Sequence, residues 1–174
     1  MDTIWSTDAL AVTVTDIDFL DPALAGVADA RERGVRLEVR PVHVQLDGTV
    51  YVSPALRLSP AVCRIDLLES APGAHDRMHW HPVMDAGEPG ERVFDPAIGA
   101  DPLGWLATRL ADVVGLLRRA GVPDPQDYAA DAAEVAACRD EIVERVARGL
   151  ERARRPWPAV THDARGQAAV PRTA

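Results

Sequence analysis

The spacing of apolar residues along this chain changes character near residue 95. Before that point it alternates. Leu10, Val12 and Val14 fall on one side of residues 10–18, as a half-buried strand requires. Residues 35–46 repeat the pattern through Val35, Leu37 and Val39, then Val42 and Val44 after Pro41. Asp47-Gly48 is a hairpin-turn signal leading into residues 49–58, and residues 61–68 follow the break at Ser59-Pro60. A further strand is predicted over 76–81 and a short one over 92–94. Five or so short strands with turns between them predict a small antiparallel β-sheet or partial barrel within residues 10–95.

After residue 95 the period becomes helical, as it also does earlier over 22–33. Asp-Pro occurs at Asp21-Pro22, Asp95-Pro96, Asp101-Pro102 and Asp124-Pro125. Asp caps a helix N-terminus and Pro suits its first position, so the pair signals a helix start. Three of the pairs open helical patterns. The first covers 22–33 and stops at Gly34. The second covers 102–120, with Leu103, Leu106, Leu110, Val113, Val114 and Leu117 as its stripe, and Gly121 follows. The third covers 125–150, with Tyr128, Ala132, Val135, Ile142, Val146 and Leu150 inward and the i,i+4 pairs Glu141–Arg145 and Glu144–Arg148 outward. A short turn at 121–124 joins the last two, which predicts an antiparallel helical hairpin at the C-terminal end. The expected fold class is α+β, with the sheet first and the hairpin against it. Residues 1–155 are expected to form a single domain. Residues 156–174 read as a partly disordered tail, in which Trp157, between two prolines, is placed to dock on the body.

Charge narrows the classes of function. The net charge is −8, and residues 1–100 hold 16 acidic against 8 basic side chains. Such a surface repels nucleic acid and anionic lipid, so neither nucleic acid nor membrane is an expected partner. No apolar run approaches the ~20 residues of a membrane helix. Residues 1–10 carry Asp2 and Asp8 and no basic residue, unlike a secretory leader, so a cytoplasmic location is expected. Every basic residue is Arg. This excludes chemistry that needs a Schiff-base or P-loop lysine, and with the abundance of Ala, Val and Asp it suggests a GC-rich bacterium. Cys63 and Cys138 fit no ligand spacing and read as two buried thiols of a reducing compartment.

The chemistry concentrates in "GAHDRMHWHPVMDAGEPGE", residues 73–91, which holds His75, His79 and His81. On a strand, residues i and i+2 share a face about 6.5–7 Å apart. His79 and His81 would then project together, with Met78 and Trp80 opposite. An imidazole pair plus a carboxylate is a ligand set for Fe, Mn, Ni or Zn. Gly73, five residues and His79-Trp80-His81 resemble the first conserved motif of cupins. There the His-x-His pair is followed after three or four residues by a glutamate, and then by six residues and a glycine. The resemblance implies that His79 and His81 bind a divalent metal ion inside a β-barrel. Asp85 stands at the spacing of the glutamate, whereas six residues separate His81 from Glu88. The second cupin motif is not recognisable, and His43 on an earlier strand is a substitute ligand, with His75 as a further addition. The chain as a whole is similar to uncharacterised actinobacterial proteins, a likeness that implies no function.

The same pattern has a plainer explanation. Arg77, His79 and His81 would alternate with Met78 and Trp80 on a strand with one wet face, and a cation at Arg77 disfavours an adjacent metal. Asp85, Glu88 and Glu91 lie in a loop where solvated carboxylates are ordinary. Asp127, Asp131 and Glu134 form a helical carboxylate row without a histidine, which reads as a solvated face. No GxSxG, GxGxxG or P-loop occurs. Two functions follow. One is a small metalloprotein that acts on a small-molecule, oxygen-bearing substrate. The other is a non-enzymatic binding or assembly protein, which uses the apolar face of the 102–150 hairpin against a partner or a second copy in a homodimer.

Overall fold

A computed structural model describes residues 2–20, 31–45, 55–159, 161–162 and 168–169, without the side chains of 44, 45, 161, 162, 168 and 169. The strands of the sheet are β1 (Asp2–Ser6), β2 (Leu10–Leu20), β3 (Arg31–Gln45), β4 (Ala55–Leu58), β5 (Cys63–Glu69) and β6 (His79–His81). They pair antiparallel in the order β1-β2-β3-β5-β6, with β4 on the end of β3. The sheet is open: no pairing joins β1 to β6 among the described residues. The alternation read from the sequence accounts for β2, β3 and β5. Val14, Leu37, Ile65 and Trp80 lie side by side across four strands and are buried on one face.

That face is covered by α1 (Pro96–Ala100), α2 (Pro102–Leu110), α3 (Val113–Arg119), α4 (Ala129–Ala137) and α5 (Arg139–Ala153). Asp95 caps α1 and Asp101 caps α2, each with Pro at the first position, as the Asp-Pro signal predicts. Leu106, Leu110, Leu117, Ile142, Val146 and Leu150 all join the core. At roughly 1.5–3 kcal/mol for each buried aliphatic side chain, this stripe is the main force docking the helices. It is buried against the chain's own sheet. Gly149 sets the approach of α5: a Cβ there would stand 2.5 Å from Cγ2 of Val35.

Three expectations change. The helix predicted over 22–33 ends in strand: residues 31–33 belong to β3, and 21–30 lie outside the described residues. Arg31 and Arg33 extend the alternation of Val35 and Leu37, bind Asp18 on β2, and lie over the ring of Trp157, which docks as expected. The two long helices are each divided, so no clear two-helix hairpin forms. Asp112 ends one helical run and caps the next by accepting from Gly115 N, and a 3₁₀ turn at Pro125–Tyr128 precedes α4, which breaks from α5 at Cys138. The strand of 76–81 shortens to His79–His81, and 92–94 contributes the single bridge Trp80↔Val93. The hairpin signal Asp47-Gly48 lies outside the described residues. No described helix is long and apolar enough to cross a membrane.

Cys63 is buried in the core, and burial pushes its thiol up to about 12, opposed in part by Arg109 and Arg119. Only thiolate reacts with disulfide reagents. Cys138, expected to be buried as well, is only half-buried, so native protein at pH 8 is expected to release one equivalent of chromophore with Ellman's reagent, from Cys138. Denatured protein should release two. Two fast equivalents from native protein would contradict this burial.

Candidate metal centre

The face of the sheet away from the helices carries polar rows set by strand register. Arg36 on β3 stands opposite Asp66 on β5, and Asp66 stands opposite His79 on β6. In the next row Glu38 pairs with Arg64, which stands opposite His81. Arg40 also binds Glu38. Because β6 continues through Trp80 to the bridge with Val93, Phe94 extends the Asp66–His79 row. Its ring centroid lies 5.5 Å from that of His79.

His79, His81 and Asp66 are 2%, 5% and 2% exposed, so β6 is not a wet-faced strand. Both of its faces are buried, with Met78 and Trp80 on the core side. Each imidazole is held from its far side. Nδ1 of His79 lies 2.7 Å from the carbonyl of Arg77, and Nδ1 of His81 lies 3.1 Å from the carbonyl of Gly90. A carbonyl only accepts, so both Nδ1 atoms donate. With Nδ1 donating, the neutral form of each ring presents the Nε2 lone pair, the tautomer that metal-binding histidines use. Burial holds His79 below the ordinary imidazole range. The Arg77 carbonyl and Asp66 oppose that shift, and Arg92 and His81 add to it.

Those lone pairs converge on one carboxylate oxygen. Asp66 Oδ2 is 3.5 Å from Nε2 of His79 and 4.0 Å from Nε2 of His81. All three ligand atoms lie within 4.8 Å of one another. Ligand atoms about 2.0–2.1 Å from a tetrahedral ion sit about 3.3–3.4 Å apart, so a small contraction would seat an ion. Nε2 of His79 is buried and makes no hydrogen bond. A buried polar atom in that state calls for a missing partner. Arg36 donates to Asp66 Oδ1 at 2.7 Å and to Oδ2 at 3.3 Å, and this fixes the carboxylate plane. The objection raised by Arg77 falls away, since its guanidinium turns to Glu32 at 3.0 Å.

The other predicted ligands lie elsewhere. Asp85 and Glu88 face each other across a tight turn between β7 (Met84–Asp85) and β8 (Glu88–Pro89), and both are exposed. Ala86 and Gly87 form the turn with φ of 50° and 91°. His43 stands exposed opposite Arg57 at the far end of β3. His75 accepts from Arg154 at 2.9 Å, beside the Arg154–Glu69 ion pair that ties the end of α5 to β5. None of these joins the Asp66–His79–His81 group, the cluster of His, Cys, Asp and Glu able to close on one ion among the described residues. Asp66 escaped the sequence reading. Its one local signal is a charged residue inside the apolar run "IDLL". In comparisons with known proteins, no family model, no curated protein and no solved structure matches this chain.

Proposed function

We propose that this chain is a small metalloprotein whose divalent ion is held by Nε2 of His79, Nε2 of His81 and the carboxylate of Asp66. The observation that carries the reading is the buried, unpartnered Nε2 of His79, aimed with that of His81 at one shared oxygen. The main competitor is a protonated histidine paired with Asp66. Burial acts against that proton, and 3.5 Å is too long for the charge-assisted hydrogen bond it would make. Two imidazoles and one carboxylate suit Fe, Mn, Ni or Zn and leave positions open for water or a small oxygen-bearing substrate. The bound ion would supply a Lewis acid at those positions. The cupin-like Gly73…His79-Trp80-His81 motif supports the same assignment of the histidine pair, with the carboxylate supplied from the neighbouring strand instead of the following loop.

The test is metal content by mass spectrometry on untagged protein purified without chelator, beside the variant His79→Ala/His81→Ala. About one equivalent of a transition metal per chain is expected in the parent and none in the variant. A parent protein that stays metal-free after reconstitution with each of the four ions would end the proposal.

A further inference from the structure

A second site lies on the opposite face of β6. A cavity of about 430 Å³ opens between α2 and α3, with Trp80, Arg109, Asp112, Arg118 and Arg119 in its lining. Trp80 stands between the two histidines in sequence and points through the sheet away from them. The cavity is therefore separate from the metal centre.

Its charge is opposite to that of the whole chain. Three guanidiniums against one carboxylate leave the lining at +2, in a protein of net charge −8. The carboxylate is already engaged, since Asp112 caps α3 through Gly115 N at 2.9 Å. The guanidinium carbon of Arg109 lies 4.7 Å from the ring centre of Trp105 and 5.4 Å from that of Trp80. That of Arg119 lies 5.0 Å from the Trp80 ring. The carboxylate nearest Arg109 is Asp95, 4.0 Å away, and it accepts from the Trp105 indole at 2.9 Å. Arg118 and Arg119 form no ion pair among the described residues. Two donors here lack acceptors: the Trp80 indole N–H and Nε of Arg109 are both buried and unbonded. Trp80 itself is 3% exposed.

Unpaired buried donors beside clustered guanidiniums need an acceptor-rich anion. Stacking on indole rings holds the Arg109 and Arg119 guanidiniums in place before any ligand arrives, which lowers the entropy lost on binding. We infer that this cavity binds a dianion, namely the phosphate group of a small phosphate monoester. Two negative charges match the +2 lining, and the oxygens suit the forked guanidinium donors.

Calorimetric titration of the full chain tests this, at fixed ionic strength and with chelator present to remove any metal. The probes are inorganic phosphate, phenyl phosphate and, as a carboxylate dianion, succinate. Saturable one-to-one binding of phenyl phosphate is expected, at least tenfold weaker in Arg109→Gln and Arg119→Gln. It should be unchanged in Arg148→Gln, which alters an exposed guanidinium on α5. Arg119 is exposed, so its variant should fold and decides the matter if Arg109→Gln does not. Absence of saturable heat, equal binding in Arg119→Gln, or equal loss in Arg148→Gln would overturn the site. Succinate binding more tightly than both phosphates would overturn the ligand class.

Discussion

Asp66→Ala is expected to weaken divalent-metal binding by more than about 100-fold while leaving the chain folded. Residues that only orient a ligand are worth about 10–100-fold in affinity, so removal of a ligand should exceed that. The stability cost should be modest. Asp66 is buried, but its ion-pair partner Arg36 keeps 30% of its side chain exposed and can turn to water. A loss of about 1–3 kcal/mol follows, well short of a domain's total of about 5–15 kcal/mol. Arg36→Ala separates the roles. It keeps all three proposed ligands but frees the carboxylate plane, so affinity should fall by only about 10–100-fold. Competition against a fluorescent chelator measures both affinities, and urea unfolding in excess chelator measures both stabilities. If Asp66 served only to hold Arg36 in the sheet, the two variants would lose similar stability and neither would change metal retention.

The parts of this molecule written in local sequence were readable, and those created by strand pairing were not. Alternation at Leu10–Val12–Val14 and Val35–Leu37–Val39 placed β2 and β3, because burial of one sheet face imposes a period of two. The Asp101-Pro102 cap placed the start of α2, whereas α1, which opens at Asp95-Pro96, is too short for periodicity to have marked it as a helix. The same stripe hid the breaks. Leu110 and Val113 sit on the core side whether or not the helix is interrupted between them, so periodicity could not show that Asp112 starts a new one. His79 and His81 were legible as a pair since their spacing is local. Asp66 was not, because it meets them through the β5–β6 register, 13 residues away from His79. Of the downstream carboxylates Asp85 and Glu88, Asp85 stood at the expected sequence spacing and Glu88 was the nearest glutamate. They are turned aside by the tight turn at Ala86-Gly87, which pairs them with each other.

Gly34→Ala is expected to be the most damaging single methyl in the described structure, with a cost of about 3–5 kcal/mol. The sequence suggests a helix stop at this glycine. The structure places it inside β3, near that strand's start, between Ile17 of β2 and Leu68 of β5. A Cβ at Gly34 would lie 2.0 Å from the carbonyl oxygen of Leu67 and 2.9 Å from both the Leu67 carbonyl carbon and the Leu68 Cα. Every one of these is a backbone atom, so no rotamer change relieves the clash. Overpacking costs about 1–3 kcal/mol where side chains can give way. Here one end of the ladder between the central strand β3 and β5 must open, which adds lost hydrogen bonds of about 1 kcal/mol each. Leu67 follows Asp66 directly, so molecules that remain folded should also bind metal less well. Gly121→Ala provides the comparison. Gly121 has φ of 74°, but a Cβ there meets nothing within 4 Å, so it carries only the left-handed backbone cost of about 1–2 kcal/mol. Denaturant midpoints of the two variants measure the difference. If Gly34→Ala were no less stable than Gly121→Ala, β3 and β5 could not approach as closely as described, and the placement of Asp66 opposite His79 would lose its support.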